Sequence, residues 1–208
     1  MTTNLLDAVD KLGLSKQNRT VDKYTLTIGE NTQHCIDVIN SLLKEQHFTS
    51  EKISVETNRF DVISKVEIIV ERFRQFYDKK KINIIARKKE LIVTSDDVKL
   101  FQIINNLISN AVKFTREDGK IDIIITDSKD RFAISVVDDG IGIPEYLHPH
   151  LFKKNTPAGR SGLNGEKSIG MGLYIVKKLV DLLKGNVNFK SAEDNGATFT
   201  IELPKVVS

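Results

Sequence analysis

The 208 residues are 40% hydrophobic and lack Trp, enough apolar content for one domain of about 150 residues plus an appendage. With 31 basic and 28 acidic residues the formal charge is only +3, and no basic stripe alternates with aromatics, which disfavours a nucleic-acid partner. The single cysteine, Cys35, excludes an intramolecular disulfide and a cysteine-based zinc site. No apolar run approaches the ~20 residues that cross a bilayer, and MTTNLLDAVDKLG has neither the basic start nor the apolar run of a signal peptide. The expectation is a soluble, cytoplasmic segment with no membrane contact of its own, whose parent protein could be membrane-anchored.

Residues 1 to about 52 read as helical. Cys35, Ile36, Val38, Ile39, Leu42 and Leu43 recur at spacings of three and four, with Leu26 and Ile28 further back in the same segment. This seam is wider than a lone surface helix requires, so it predicts a partner helix. Periodicity leaves two partners open: the chain's own domain, or a second copy in a dimer bundle.

From Ile53 the texture becomes mixed. ISVETNRFDV predicts a short strand leading into a helix with Asp61 near its start, and ISKVEIIVERFRQFY continues that helix. INIIAR and LIVTS, separated by KKE, read as a hairpin. A helix follows with Ser95, Asp96 and Asp97 as capping candidates. IDIIITD and FAISVVD, separated by SKDR, read as a second antiparallel pair; SIGMGLYIVKKLVDLL reads as a helix capped by Gly185; NVNFKSA and ATFTIELP, joined by EDNG, are the last strands. The predicted class is α+β, a two-layer sandwich of a mixed, mainly antiparallel sheet with helices on one face.

Two features do not fit a plain core. QIINNLISNAVKFT is an amphipathic helix carrying Asn105, Asn106 and Asn110, and the last two lie four residues apart on one side. Asn is a poor helix former and costly to bury without partners. The second feature runs from Asp138 to Gly172, with seven glycines and no strand pattern, the profile of a lid. Gly140, Gly142, Gly170 and Gly172 allow close backbone approach to a ligand. Gly170 and Gly172 open a helix, where free N–H groups suit a phosphate. Lys153, Lys154, Arg160 and Lys167 add cations, which a solvated basic loop would equally display.

Together these residues carry a resemblance. NLISNAVKFT, from Asn106 to Thr115, resembles the asparagine box of sensor histidine kinases; DDGIGIP resembles their first glycine box, HLFKK their phenylalanine box, and SIGMGLYIVKKLV their second glycine box. NGATFTIELP resembles the strand that closes their catalytic ATP-binding domain, a domain shared with gyrases, MutL proteins and heat-shock chaperone ATPases. The resemblance covers about residues 95 to 204. It implies ATP and Mg²⁺ as ligands, a catalytic domain over residues 53–208 with an ATP lid at about 143–168, and a remnant of a helical dimerisation and phosphotransfer hairpin over residues 1–52.

The resemblance also implies roles, position by position. Asn110 coordinates Mg²⁺, with Asn106 beside it in the metal set; amide oxygens are hard donors suited to that ion. Asn106 stands where the gyrase-like ATPases place a glutamate base, and an amide cannot be a base, so the γ-phosphate is kept for transfer. Lys113 neutralises phosphate charge. Asp138 accepts from the adenine amino group, Gly140 and Gly142 turn the backbone beneath the base, Ile143 lines the pocket and Thr198 contributes to its floor. Phe152 anchors the lid, and Lys167, Ser168, Gly170, Gly172 and Leu173 hold the phosphate end. Ser168 departs from the family, which often has glycine there.

A larger departure concerns the phosphoacceptor. None of the four histidines, His34, His47, His148 and His150, sits in a motif resembling H-E-L-R-T-P. Each reads as a surface residue; His34, on the seam, is the only one to test as an acceptor. The implied function is phosphoryl transfer from ATP to a histidine outside this chain. The implied partners are a phosphoacceptor domain, a response regulator receiver domain and a second copy through the amino-terminal helix. A non-catalytic docking or nucleotide-binding module is the alternative, and Asn106 disfavours a gyrase-like ATPase.

Overall fold

The carboxylate of Asp61 links the first strand to the first helix among the described residues. The computed structural model describes residues 54–153, 162–163 and 171–207, and the helical reading of residues 1–52 lies outside them. Strand β1 (Asn58–Asp61) ends at Asp61, which caps helix α1 (Val62–Phe76) by accepting from the Ile63 and Ser64 amides, both at 3.2 Å. The same carboxylate accepts from the Leu91 amide at 2.7 Å, so one side chain starts the helix and holds the approach to β3 (Ile92–Ser95). Burial alone would raise its pKa, but hydrogen bonds from the Leu91 amide, the Ser64 hydroxyl and amide, and the Ile63 amide hold it below the ordinary aspartate value.

Asp96 repeats the device for helix α2 (Asp97–Phe114). Its carboxylate accepts from the Lys99 amide at 2.9 Å, from the Lys99 ammonium, and from the Glu56 amide at 3.1 Å, while the residue is only 2% exposed. α1 and α2 bury continuous apolar stripes, Val62 to Val70 and Leu100 to Val112, with period near 3.6. Helix α3 (Gly172–Leu182) adds Ile175, Val176, Leu179 and Val180.

Against this helical layer lies a five-stranded sheet in the order β2-β4-β5-β7-β6, with β2 (Lys81–Ala86), β4 (Lys120–Asp127), β5 (Arg131–Asp138), β6 (Asn186–Ser191) and β7 (Ala197–Pro204). Alternate residues Ile121, Ile123, Ile125, then Phe132, Ile134, Val136, then Phe199, Ile201, Leu203 are buried. The opposite face carries cross-strand polar pairs, Asn83 to Asp122 at 3.0 Å, Ser135 to Thr200 at 2.8 Å and Arg131 to Glu202 at 2.8 Å. The architecture is therefore the α+β sandwich with helices on one face.

The predicted β2–β3 hairpin does not form. β2 pairs in parallel with β4, Ile82 opposite Ile121 and Ile84 opposite Ile123, whereas β3 pairs antiparallel with β1 in a separate two-stranded sheet. Two neighbouring β-branched runs look alike whether they pair locally or not. Here α2 provides the crossover that a parallel pair requires. The β4–β5 and β6–β7 pairs are antiparallel as expected.

Gly185 also has a different role from the expected cap. The left-handed residue after α3 is Lys184, φ 59°, and the Gly185 amide returns to the Val180 carbonyl at 2.9 Å while that of Lys184 reaches Asp181 at 3.1 Å. Gly185 is required for space, because a Cβ there would lie 2.6 Å from the Glu202 carbonyl oxygen.

The helix ends can be tested by stability. Asp96→Ala should lower unfolding free energy by about 2 kcal/mol in a urea titration, since a buried cap and its lysine are lost together. The Asp96 pKa is lowered despite burial, by hydrogen bonds from the Lys99 side chain and amide and from the Glu56 amide. Its contribution is thus present above the unfolded aspartate pKa and is lost as pH falls through the folded one, so Asp96→Asn should flatten the acid limb of stability against pH. Lys184→Gly should stabilise by about 1 kcal/mol, read as a higher urea midpoint at unchanged slope.

Candidate functional site

The site lies along one flank of α2, where the buried stripe gives way to half-buried positions occupied by Asn106 and Asn110. Asn106 donates its side-chain N–H to the Gln102 carbonyl at 2.8 Å, which turns its Oδ1 outward. Facing it is Gly172, the first residue of α3: a Cβ there would stand 3.1 Å from Asn106 Oδ1 and 3.9 Å from Asn110 Oδ1. Glycine thus lets the amino end of α3 approach both amides. The first intrahelical donor of α3 is Ile175, to Met171 at 2.9 Å, and Met171 makes no side-chain cap bond. The amides of Gly172, Leu173 and Tyr174 therefore precede the helical ladder, beside the asparagines. Asn105 is turned about 100° from Asn106 around the helix.

At its other end α2 meets the loop after β5. The Ile141 amide donates to the Phe114 carbonyl at 3.0 Å, and a Cβ on Gly140 would lie 2.3 Å from that same oxygen. Only glycine fits this approach. Lys113, half-buried one residue earlier, lies a turn beyond Asn110, and its carbonyl accepts from the Leu163 amide at 3.1 Å. Asn106, Asn110 and Lys113 thus run in order toward the turn that carries Asp138.

Asp138 ends β5 on the helix-covered face and is 9% exposed. Its Oδ1 accepts from the Gly140 amide at 3.0 Å and the Ala197 amide at 3.2 Å. Its Oδ2 has no hydrogen bond among the described residues. Burial pushes the carboxyl up to about 6, against the two backbone hydrogen bonds that lower it and with a smaller push from the Asp139 charge. Such a group is a candidate binding carboxyl: one oxygen fixed, the other ready for a donor.

The loop beyond Asp138 is shaped by two left-handed glycines. Gly142, φ 62°, passes so close to Ala192 that a Cβ would lie 1.9 Å from its carbonyl oxygen; Gly196, φ 69°, would come within 2.0 Å of the Asp138 carbonyl oxygen. Ile143, buried at 7% exposure, follows Gly142. Phe152 packs edge-on against Phe189 at 5.9 Å and Phe199 at 6.5 Å, fixing the chain after the short 3₁₀ turn Glu145–His150 to β6 and β7. Leu173 packs against the core at the start of α3.

The structure thus draws Asn106, Asn110 and Gly172 together, and places Asp138, Gly140, Gly142 and Ile143 at the far end of the same helix. Thr198 is not with them. It pairs with Val137 and Lys190, on the uncovered face of the sheet, while its neighbour Ala197 pairs with Asp138. The two-residue period of a strand turns Thr198 away from the carboxyl. Lys167, Ser168 and Gly170, together with Lys154 and Arg160, lie outside the described residues. Ala197, Gly196 and Ser191 were not singled out by the sequence; the Asn195-Gly196 dipeptide signalled only a turn.

The donor set fits a magnesium nucleotide. Amide oxygens of Asn106 and Asn110 are hard ligands, the gap above them is one a Cβ at Gly172 would narrow, and the free oxygen of Asp138 suits an exocyclic amino group.

Comparison with known proteins gives the same picture. The family described as histidine kinase-, DNA gyrase B-, and HSP90-like ATPase matches residues 95–207. The circadian input-output histidine kinase CikA of Synechococcus elongatus is 28% identical over 190 residues, 88% of this chain and 25% of that protein. The signal transduction histidine-protein kinase BarA of Escherichia coli is 30% identical over 181 residues, 83% of this chain and 20% of that one. The chain thus spans a quarter or less of these relatives. The nucleotide-free catalytic domain of histidine kinase ThkA superposes with a TM-score of 0.63 and 26% identity, covering 73% of this chain and 97% of that domain. ThkA in complex with response regulator protein TrrA matches in fold, with a TM-score of 0.66 and 20% identity over 98% of this chain and 58% of that one. The match over more than half of the chain means that the protein belongs to the histidine kinase-, DNA gyrase B- and HSP90-like ATPase family, with the catalytic ATP-binding domain of a sensor histidine kinase.

Proposed function

We propose that this domain binds Mg-ATP and passes the γ-phosphoryl group to a histidine supplied from outside this chain, in two-component signalling. The observation that carries the reading is the order of groups along the carboxy-terminal half of α2: the amide oxygens of Asn106 and Asn110 against a helix amino terminus, then, beyond the last turn, a buried carboxyl with one oxygen unbonded among the described residues. That spacing of functions suits a nucleotide lying along the helix with its base at Asp138. When bound, Mg²⁺ would be held by Asn110 and Asn106 and would neutralise phosphate charge.

The chain's own residues do the rest. Asp138 Oδ2 accepts from the adenine amino group, which selects adenine because guanine presents a carbonyl there. Ile143 packs on the base, and the glycines at positions 140 and 142 turn the backbone beneath it, close against Phe114 and Ala192. Lys113, the leading amides of α3 and the lid residues Lys167, Ser168 and Gly170 hold the phosphates. The amide of Asn106 cannot take a proton from water, so hydrolysis is slow and the phosphoryl group is kept for an incoming imidazole. Transfer then depends on positioning and charge neutralisation.

Residues 1–52 are assigned by the same reading to the remnant of a dimerisation hairpin, mainly its second helix, with a homodimer, a phosphoacceptor domain and a response regulator receiver domain as partners. The support is the apolar seam from Cys35 to Leu43 and, for the regulator, the complex that the ThkA kinase makes with TrrA. Cytoplasmic placement belongs to this reading too; among the described residues no helix is long and apolar enough to cross a membrane.

Incubation with ATP, Mg²⁺ and an acceptor-bearing hairpin should put acid-labile phosphate on the hairpin, and its persistent absence would overturn the kinase reading. Asp138→Asn should weaken ATP binding roughly thirtyfold by calorimetry, the worth of a charged hydrogen bond replaced by a facing N–H. Affinity of the parent should also fall as pH drops through about 6, where the carboxyl gains its proton, with the step missing in Asp138→Asn. Stability runs the other way. A carboxyl raised on folding from 3.8 to about 6 holds its proton longer in the folded state, so its ionisation costs stability as pH rises through that window. At pH 7 the Asn variant should therefore be the more stable protein, by on the order of 2 kcal/mol.

A further inference from the structure

The backbone of Ile143 is held from both sides by side chains that the nucleotide reading leaves unused. Its N–H donates to Ser191 Oγ at 2.9 Å, and the Ser191 hydroxyl donates onward to the Gly196 carbonyl at 2.6 Å. Its carbonyl oxygen lies 3.0 Å from His148 Nε2. His148 in turn stands edge-on against Phe189 at 5.0 Å, and Phe189 stacks on Phe199 at 5.9 Å.

These ties do more than close a turn. Gly196 abuts the Asp138 carbonyl, and its own amide donates to Gly140 at 2.9 Å, while the Asp194 amide donates to Ile141 at 2.9 Å. The Asp138–Ile143 loop and the 192–196 turn are thus bound as two rungs of backbone with Ser191 as the third. A hydroxyl is the one group of that size that can accept from Ile143 and donate to Gly196 at once. On the far side His148 braces the same residue against the aromatic floor. These holds fix the chain directly after the left-handed turn at Gly142, where the backbone rungs to the 192–196 turn end.

We propose that Ser191 and His148 are positioning residues of the nucleotide site, which set the distance between the pocket wall at Ile143 and the binding carboxyl of Asp138. The inference rests on the ATP-binding reading above and adds to it the two groups that make the pocket rigid. Neither side chain need touch the nucleotide.

The test is calorimetric ATP affinity in Mg²⁺ for the full chain, with thermal melting of each variant without nucleotide. Ser191→Ala should raise Kd about tenfold, because the Ile143 amide and the Gly196 carbonyl both lose their partner, and Ser191→Thr, which keeps the hydroxyl, should restore it. His148→Phe keeps the ring packing and should weaken binding several-fold, with recovery in His148→Gln. In the double variant Ser191→Ala/Asp138→Asn the losses should not add, since Ser191 acts through the geometry around Asp138. A parent-like Kd in Ser191→Ala and His148→Phe would overturn the proposal, as would additive losses or equal weakening in Ser191→Thr. If Ser191→Ala melts too low to titrate, His148→Phe against His148→Gln decides. Failure of the parent itself to bind ATP would instead overturn the underlying ATP reading.

Discussion

Everything at the site depends on one close backbone approach, the Phe114 carbonyl at the end of α2 receiving the Ile141 amide while Gly140 slides beneath it. This contact joins the helical layer to the sheet. It fixes where Asp138 sits relative to the asparagines upstream. A side chain at position 140 would push the loop off the helix and separate the two halves of the pocket, so glycine there is a matter of excluded volume more than of backbone freedom. The C-terminal end of α2 is further held by Lys80, which donates to the Thr115 carbonyl at 2.5 Å and that of Arg116 at 3.1 Å, a cation placed where the helix dipole is negative.

The carboxyl of Asp138 shows how binding and stability pull apart. Two amides fix one oxygen, yet burial still raises its pKa, so the folded chain carries a charge it would rather neutralise. Capping carboxylates Asp61 and Asp96 are held the other way, with lowered pKa values. The difference lies in the donors: the caps have their donors in hand, while Asp138 keeps an oxygen back. A group in that state is what a ligand-binding acid requires and what a purely structural one avoids.

Much of this was legible in the sequence, and the failures have physical causes. The 3.6-residue stripes of α1 and α2 and the alternation in β4, β5 and β7 are properties of local burial, which composition displays directly. Pairing partners are not local, so INIIAR and LIVTS could pass for a hairpin although one joins β4 and the other β1. Asn106, Asn110, Asp138 and the glycines are picked out by a resemblance; the structure sets Gly172 against Asn106 and Asn110, and Gly140 against the Phe114 carbonyl beside Asp138, and their roles toward a nucleotide are proposed from that placement. Thr198 went astray by a single residue of strand phase, which is enough to move a side chain through the sheet. Ala197 contributes only its backbone N–H, and Ser191 acts through another residue; neither kind of role leaves a mark in residue type. The left-handed Lys184 likewise hid behind the adjacent glycine.

The parallel pairing of β2 with β4 has a consequence for cooperativity. A hairpin would have let residues 81–95 close on themselves, whereas the observed register makes α2 part of the crossover between β2 and β4, so the pairing of those strands and the seating of the helix involve one continuous segment. The asparagines therefore ride on a bridge that spans the sheet, and the carboxyl, the glycines and the serine come from segments scattered over the rest of the domain. No subset of these segments carries a usable pocket. Nucleotide affinity is thereby a reporter of the whole unit, and a bound nucleotide would add its free energy to every amide of the sheet at once, slowing hydrogen exchange even at its edge strands.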